Sequence, residues 1–252
     1  MGTAFHLADV GAAQLALIAA VALGGSILGG LAGYGTGLVV PIFLAPVVGV
    51  ANIVPVMALG MLFANGSRVV AYWRQIHWAH ARRVLAFGVP MSFAGAYAYT
   101  LLAVRWVAVL LGVFFVASVP LRRALARSGW RLRDRGVALA GAGFGFVNGG
   151  MTGVGLLLVS ALLAAGLQGA ALVGTDAVVS AVFGVCKVVL FGSVARLDRE
   201  LALAGVLVGL CTAPGAFIAR RILAHVPLKV HTAVMDVIVL CGGLSFLWRA
   251  LA

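Results

Sequence analysis

Eight apolar stretches follow one another along the chain, most of them about 20 residues long, enough to cross a hydrocarbon core about 30 Å thick. In lipid the backbone must satisfy its own hydrogen bonds, and stretches of this length can do so only as helices. The chain therefore reads as an all-α, polytopic transmembrane helix bundle, a single integral membrane domain over residues 1–252. Composition leaves little room for anything else. Of 252 residues 63% are hydrophobic and 10% charged, and the mean hydropathy is +1.16, far above that of soluble domains. The first stretch follows no basic residue and is expected to stay in the membrane rather than be cleaved.

The stretches fall at 12–50 (interrupted), 52–73, 83–103, 105–121, 136–166 (interrupted), 168–191, 200–220 and 229–250. They form two groups of four, 12–121 and 136–250. Between them lies Arg122 to Arg135, with six arginines against one aspartate, the best candidate for a cytoplasmic loop. The second group echoes the first. Arg68-Val69-Val70-Ala71-Tyr72 matches Lys187-Val188-Val189-Leu190-Phe191 at an offset of 119, and Ala94-Gly95-Ala96-Tyr97 matches Pro214-Gly215-Ala216-Phe217 at 120. Orientation stays open, because the positive-inside rule gives the same twelve-to-four split of Lys and Arg whether the broken stretches cross the membrane or turn back in it. The net charge of +12 sits mostly between the stretches, where it sets topology and meets anionic lipid, so membrane lipid and not nucleic acid is the expected partner. A second copy of the chain, as a homodimer, is a further candidate partner.

The interruptions are the most informative feature. "GGLAGYGTGLVVPIFLAP", from Gly29 to Pro46, places five glycines and two prolines inside an apolar run. Aligning Gly37 with Gly155 brings "MTGVGLLLVSALLA" beneath it, so each group opens on a glycine-broken stretch. A helix in a membrane breaks only where protein or a wet cavity receives the freed backbone groups, and paired breaks in two repeats point to a transporter's substrate site. Half-helices starting near Gly35 and near Gly155 would aim amide N–H groups and positive dipole ends at an anion. Gly33, Gly35, Thr36, Gly37, Thr152, Gly153 and Gly155 are the candidate ligand-facing residues. Close helix packing is the competing reading, since Gly25, Gly29 and Gly33 keep a spacing of four.

Four ionisable residues, Arg68, Asp176, Lys187 and Asp236, fall inside apolar stretches, where each costs about 2.5–3.5 kcal/mol. Arg68 and Lys187 occupy matched repeat positions and are the candidate anion-binding cations, with Asn65 and Asn148 as polar neighbours; both cations also lie within snorkelling reach of headgroups. Asp176 is a candidate for proton coupling or for counter-charge to Arg68. It shares a helix face with Lys187 but stands about 16 Å from it, too far to pair. Asp236 reads as a structural or interfacial residue. Cys186, Cys211 and Cys241 read as packed thiols, and His77 and His80, beside Trp78 and several arginines, as interface anchors, with no metal or other cofactor expected.

The run Gly33-Tyr34-Gly35-Thr36-Gly37-Leu38-Val39-Val40-Pro41, its echo from Gly150 to Gly155 and the four-plus-four organisation resemble the TauE/SafE sulfite exporter family of bacterial membrane transporters. The resemblance implies a secondary transporter in the cell inner membrane that moves a small sulfur-containing or organic anion, such as sulfite or sulfoacetate. It has Thr36 where another glycine is common, and Val159 and Ser160 where a proline is often seen. An anion channel could use the same dipoles and cations and is the alternative. No Walker-type sequence and no protease or hydrolase motif is present, so an enzyme is not expected.

Overall fold

The computed structural model describes residues 6–32, 35–127, 129, 131–222 and 228–251, and within them the chain is helical, without strands. The first broken stretch forms α1 (Ala12–Ala32) and α2 (Thr36–Val48). Three long helices follow: α3 (Ile53–Tyr72), α4 (Trp78–Thr100) and α5 (Val104–Arg127). The second broken stretch forms α6 (Asp134–Gly150) and α7 (Gly155–Ala164), and α8 (Gly169–Ser193), α9 (Arg199–Thr212), α10 (Gly215–Ile222) and α11 (Leu228–Leu251) complete the chain. Among the described residues five spans are long and apolar enough to cross a membrane: 12–30, 50–75, 104–121, 169–193 and 199–221. The shorter helices α2, α6 and α7 fall below that length.

Helix ends differ from the hydropathy boundaries where charges begin. α4 starts at Trp78, taking in Arg82 and Arg83, and α5 runs on to Arg127, because lost hydropathy marks the edge of the bilayer and not the end of a helix. The stretch 200–220, continuous in hydropathy, is divided into α9 and α10 at Pro214, which has no N–H to continue the ladder.

Close approaches give the running directions. A Cβ on Gly25 would meet Val40 and one on Gly29 would meet Thr36, so α2 folds back antiparallel along α1. Leu132, just ahead of α6, donates its N–H to the carbonyl of Ala164 at the end of α7 (2.8 Å), so α7 likewise returns to where α6 began. Both broken stretches are hairpins. They enter from opposite faces. Arg220 at the end of α10 donates to the carbonyl of Ala71 at the end of α3 (3.0 Å), and these ends share the basic face with the start of α4. Tyr99 at the end of α4 donates to the carbonyl of Ala51 (2.8 Å), and Arg196 donates to the carbonyl of Thr100 (3.1 Å), on the opposite face. The α1–α2 hairpin leaves from that opposite face into α3, whereas α6–α7 rises from the basic face.

α4 and α6 pack with their backbones touching. A Cβ on Gly141 would lie 2.8 Å from Val84 Cα, one on Gly145 2.2 Å from the Gly88 carbonyl, and one on Gly149 2.2 Å from the Ser92 carbonyl. The constant spacing of 57 residues makes the pair parallel and ties an element of the first group to one of the second. Without a hydrophobic drive between helices in lipid, such small-residue contact is what allows close packing.

Candidate functional site

The tips of the two hairpins meet inside the bundle. Gly35, which caps α2, has φ +142°, and Gly153 in the second break has φ +80°, both conformations that only glycine adopts readily. A Cβ on Gly37 would lie 2.8 Å from the backbone nitrogen of Gly153, and one on Gly153 2.7 Å from the Gly37 carbonyl. Only two glycines permit this approach.

Proline chemistry supplies the link between the tips. α2 continues through Pro41 and Pro46 instead of stopping at them. Pro41 lacks the N–H that would have bonded to the carbonyl four residues earlier, which is that of Gly37. Thr152 takes that place, donating its Oγ1 to the Gly37 carbonyl at 3.3 Å. Thr36 is buried and donates its own hydroxyl to the carbonyl of Gly25 (3.0 Å), fastening the tip to α1.

Lys187, 6% exposed, reaches the second tip from α8 and donates to the carbonyl of Met151, the residue that ends α6, at 3.3 Å. An ammonium has three donors, and Lys187 forms no ion pair among the described residues. No side chain caps the N-terminus of α2 or of α7. Both uncapped ends carry partial positive charge, and they converge where Gly37 meets Gly153, with the Lys187 ammonium beside Thr152 through Met151. This arrangement suits a small anion: a full positive charge and two dipole ends. Gly155 opens α7 and is half-buried, and Asn148, also half-buried, lies one turn ahead of Thr152 on α6. Gly33 lies outside the described residues, as does the side chain of Asp236.

Arg68 is placed elsewhere. Its Nη1 donates to Asp176 Oδ2 at 3.1 Å and its Nη2 to Asn65 Oδ1, with side-chain exposures of 7% for Arg68 and 1% for Asp176. It does not snorkel. Asp176 and Lys187 are eleven residues apart on α8, so their backbone positions lie about 16 Å apart along the helix. Asn65, one turn before Arg68, is buried against its guanidinium. His77 is exposed and His80 half-buried at the head of α4, and Trp73 meets Trp78 edge to face at 5.3 Å, an aromatic pair of the kind found at membrane interfaces.

Three participants escaped sequence reasoning. The Met151 and Gly37 carbonyls are backbone groups that no residue type advertises, although a proline four residues after a glycine marks the second. Tyr72, four residues after Arg68, shares its helix face, and that spacing was the available signal.

A family model described as Sulfite exporter TauE/SafE matches residues 17–246. No curated protein and no solved structure matches the chain.

Proposed function

The chain belongs to the TauE/SafE sulfite exporter family, a family of multi-pass membrane transporters, and on that premise we propose that it moves a sulfur oxyanion or organosulfonate, such as sulfite or sulfoacetate, across the inner membrane by alternating access. The two groups of helices act as inverted repeats, and the substrate binds at the hairpin tips, where it is coupled to proton movement. One observation carries this reading: two half-helix N-termini without a side-chain cap converge at Gly37 and Gly153 beside the ammonium of Lys187, which forms no ion pair among the described residues. Gly35, Thr36, Gly37, Thr152, Gly153 and Gly155 line the site through their backbone, and Lys187 supplies the charge. Asn65, Arg68 and Asn148 flank the path to it.

A thermal-shift screen of the purified protein against sulfite, sulfate, thiosulfate, sulfoacetate and small carboxylates tests the reading, because a ligand that binds only the folded state raises its apparent stability. The expected result is a selective shift with one sulfur oxyanion or sulfonate that disappears in Lys187→Gln. A shift of equal size in Lys187→Gln would remove the site from the hairpin tips.

A further inference from the structure

An apolar cleft lies apart from the hairpin tips, between α1, α2 and α9. Its shape follows from where the small residues fall. Ser26 donates to the carbonyl of Thr212, and a Cβ on Gly30 would lie 3.3 Å from Ala216 Cα and 2.6 Å from Ala219 Cβ. The far half of α1 therefore presses directly on the end of α9 and on α10. Ser26 and Thr212 stand 186 residues apart, as do Gly30 and Ala216, so α1 runs parallel to this pair and in step with it. The same offset brings Ile18 level with Ala204. At that end larger side chains hold the helices apart and leave about 180 Å³ among Leu15 and Ile18 of α1, Leu44 and Val48 of α2, and Leu207 and Val208 of α9. Toward the face opposite the basic one, Leu7 and Val10 complete the wall, and Leu7 donates its backbone N–H to Glu200 Oε2 (3.0 Å), which holds them against the start of α9.

We propose that this cleft is a binding site for one acyl chain of a phospholipid, drawn from the leaflet on the face opposite the basic one. The site stands whether or not the hairpin tips bind an anion. Its lining is almost wholly apolar, so water and charged groups find no hydrogen-bond partners there. A dry apolar cavity of this size takes a guest about as large as benzene, which corresponds to roughly six carbons of a chain. The surroundings decide which guest that is. Leu15 and Leu207 line the cleft and are exposed, and both lie in spans long and apolar enough to cross a membrane. The open side thus continues the surface that bilayer hydrocarbon covers. Ile18, Leu44 and Val208, which also line it, are buried. Lipid tails are as apolar as this lining, so entry is driven by dispersion contact, which an unfilled cleft would forfeit on every wall. The bilayer supplies the guest as a phospholipid tail whose head group stays at the membrane surface. Because Leu44 and Val48 belong to the half of α2 away from Gly37, the tail braces the first hairpin against α9.

The test places the full chain in phosphatidylglycerol and phosphatidylethanolamine vesicles that contain a phospholipid with a diazirine midway along one acyl chain. After illumination, labelled residues are mapped by peptide mass spectrometry. Val113 of α5 is exposed and reports lipid that only surrounds the protein, whereas Val54 and Phe183 are buried away from the cleft. Ile18, Leu44 and Val208 should be labelled although buried, along with Val113, while Val54 and Phe183 should stay unlabelled. Ala204→Phe sets a ring in the cleft and should abolish the label on Ile18, Leu44 and Val208 without changing that on Val113. Ala19→Phe fills the cleft from a half-buried position on α1 and gives the same readout should Ala204→Phe fail to fold. Label on Val113 with none on the three buried residues overturns the proposal, as does label on them that persists unchanged in a folded Phe variant. Labelling of the three by a diazirine-bearing free fatty acid but not by the phospholipid overturns the choice of guest.

Discussion

An offset of 119 residues aligns Arg68 with Lys187 in the sequence, yet their surroundings differ. Arg68 faces a carboxylate and an amide oxygen, so its charge is neutralised within the protein. Among the described residues, Lys187 donates to one neutral carbonyl. Two buried cations thus differ in their partners: one is held in a bridge between α3 and α8, and the other, on the proposed function, keeps donor capacity for an anion. A matched position in sequence does not fix a residue's role, because the role depends on what the opposing helix brings to it.

The comparison can be broken most severely at the bridge. Asp176→Ala leaves Arg68 charged and buried, and should cost about 3–5 kcal/mol in denaturant or thermal unfolding of the solubilised protein; a cost under about 1 kcal/mol would mean that Arg68 is not held by this carboxylate. Gly153→Ala strikes the other region, adding a Cβ at φ +80° and 2.7 Å from the Gly37 carbonyl, and should cost about 2–4 kcal/mol together with the anion-induced thermal shift. Thr152→Val removes only the hydroxyl donated to Gly37, for an expected loss of about 1 kcal/mol and weaker anion binding. Lys187→Gln should change stability least, within about 1 kcal/mol, since it gives up one long hydrogen bond to a carbonyl. A large destabilisation there would erase the contrast with Arg68 by making Lys187 structural.

The all-helical class was legible in the sequence, because lipid forbids unsatisfied backbone and so forces apolar runs into helices; the eight stretches, of which five spans among the described residues are long and apolar enough to cross, did not give the number of helices. The division at Pro214 was not, since one proline leaves hydropathy unbroken. Hairpin direction was also hidden: turning a stretch back exchanges Arg220 and Arg221 with Arg196 and Arg199, and the charge count on each face stays the same. At the candidate site the glycines and Lys187 stood out, whereas the Thr152 bond to Gly37 did not, because its acceptor is a carbonyl freed by a proline.

By itself, then, the sequence determined that the chain spans a membrane as helices, that two of its stretches are broken and that charges are buried in it. These are properties of local composition, which act over one helical turn or one bilayer thickness. Only the tertiary structure decided that both broken stretches turn back from opposite faces, that Gly37 meets Gly153, and that Asp176 answers Arg68 across 108 residues of chain. Those contacts depend on how whole helices pack, through backbone approach and the pairing of single buried groups, and no periodicity along the chain encodes them.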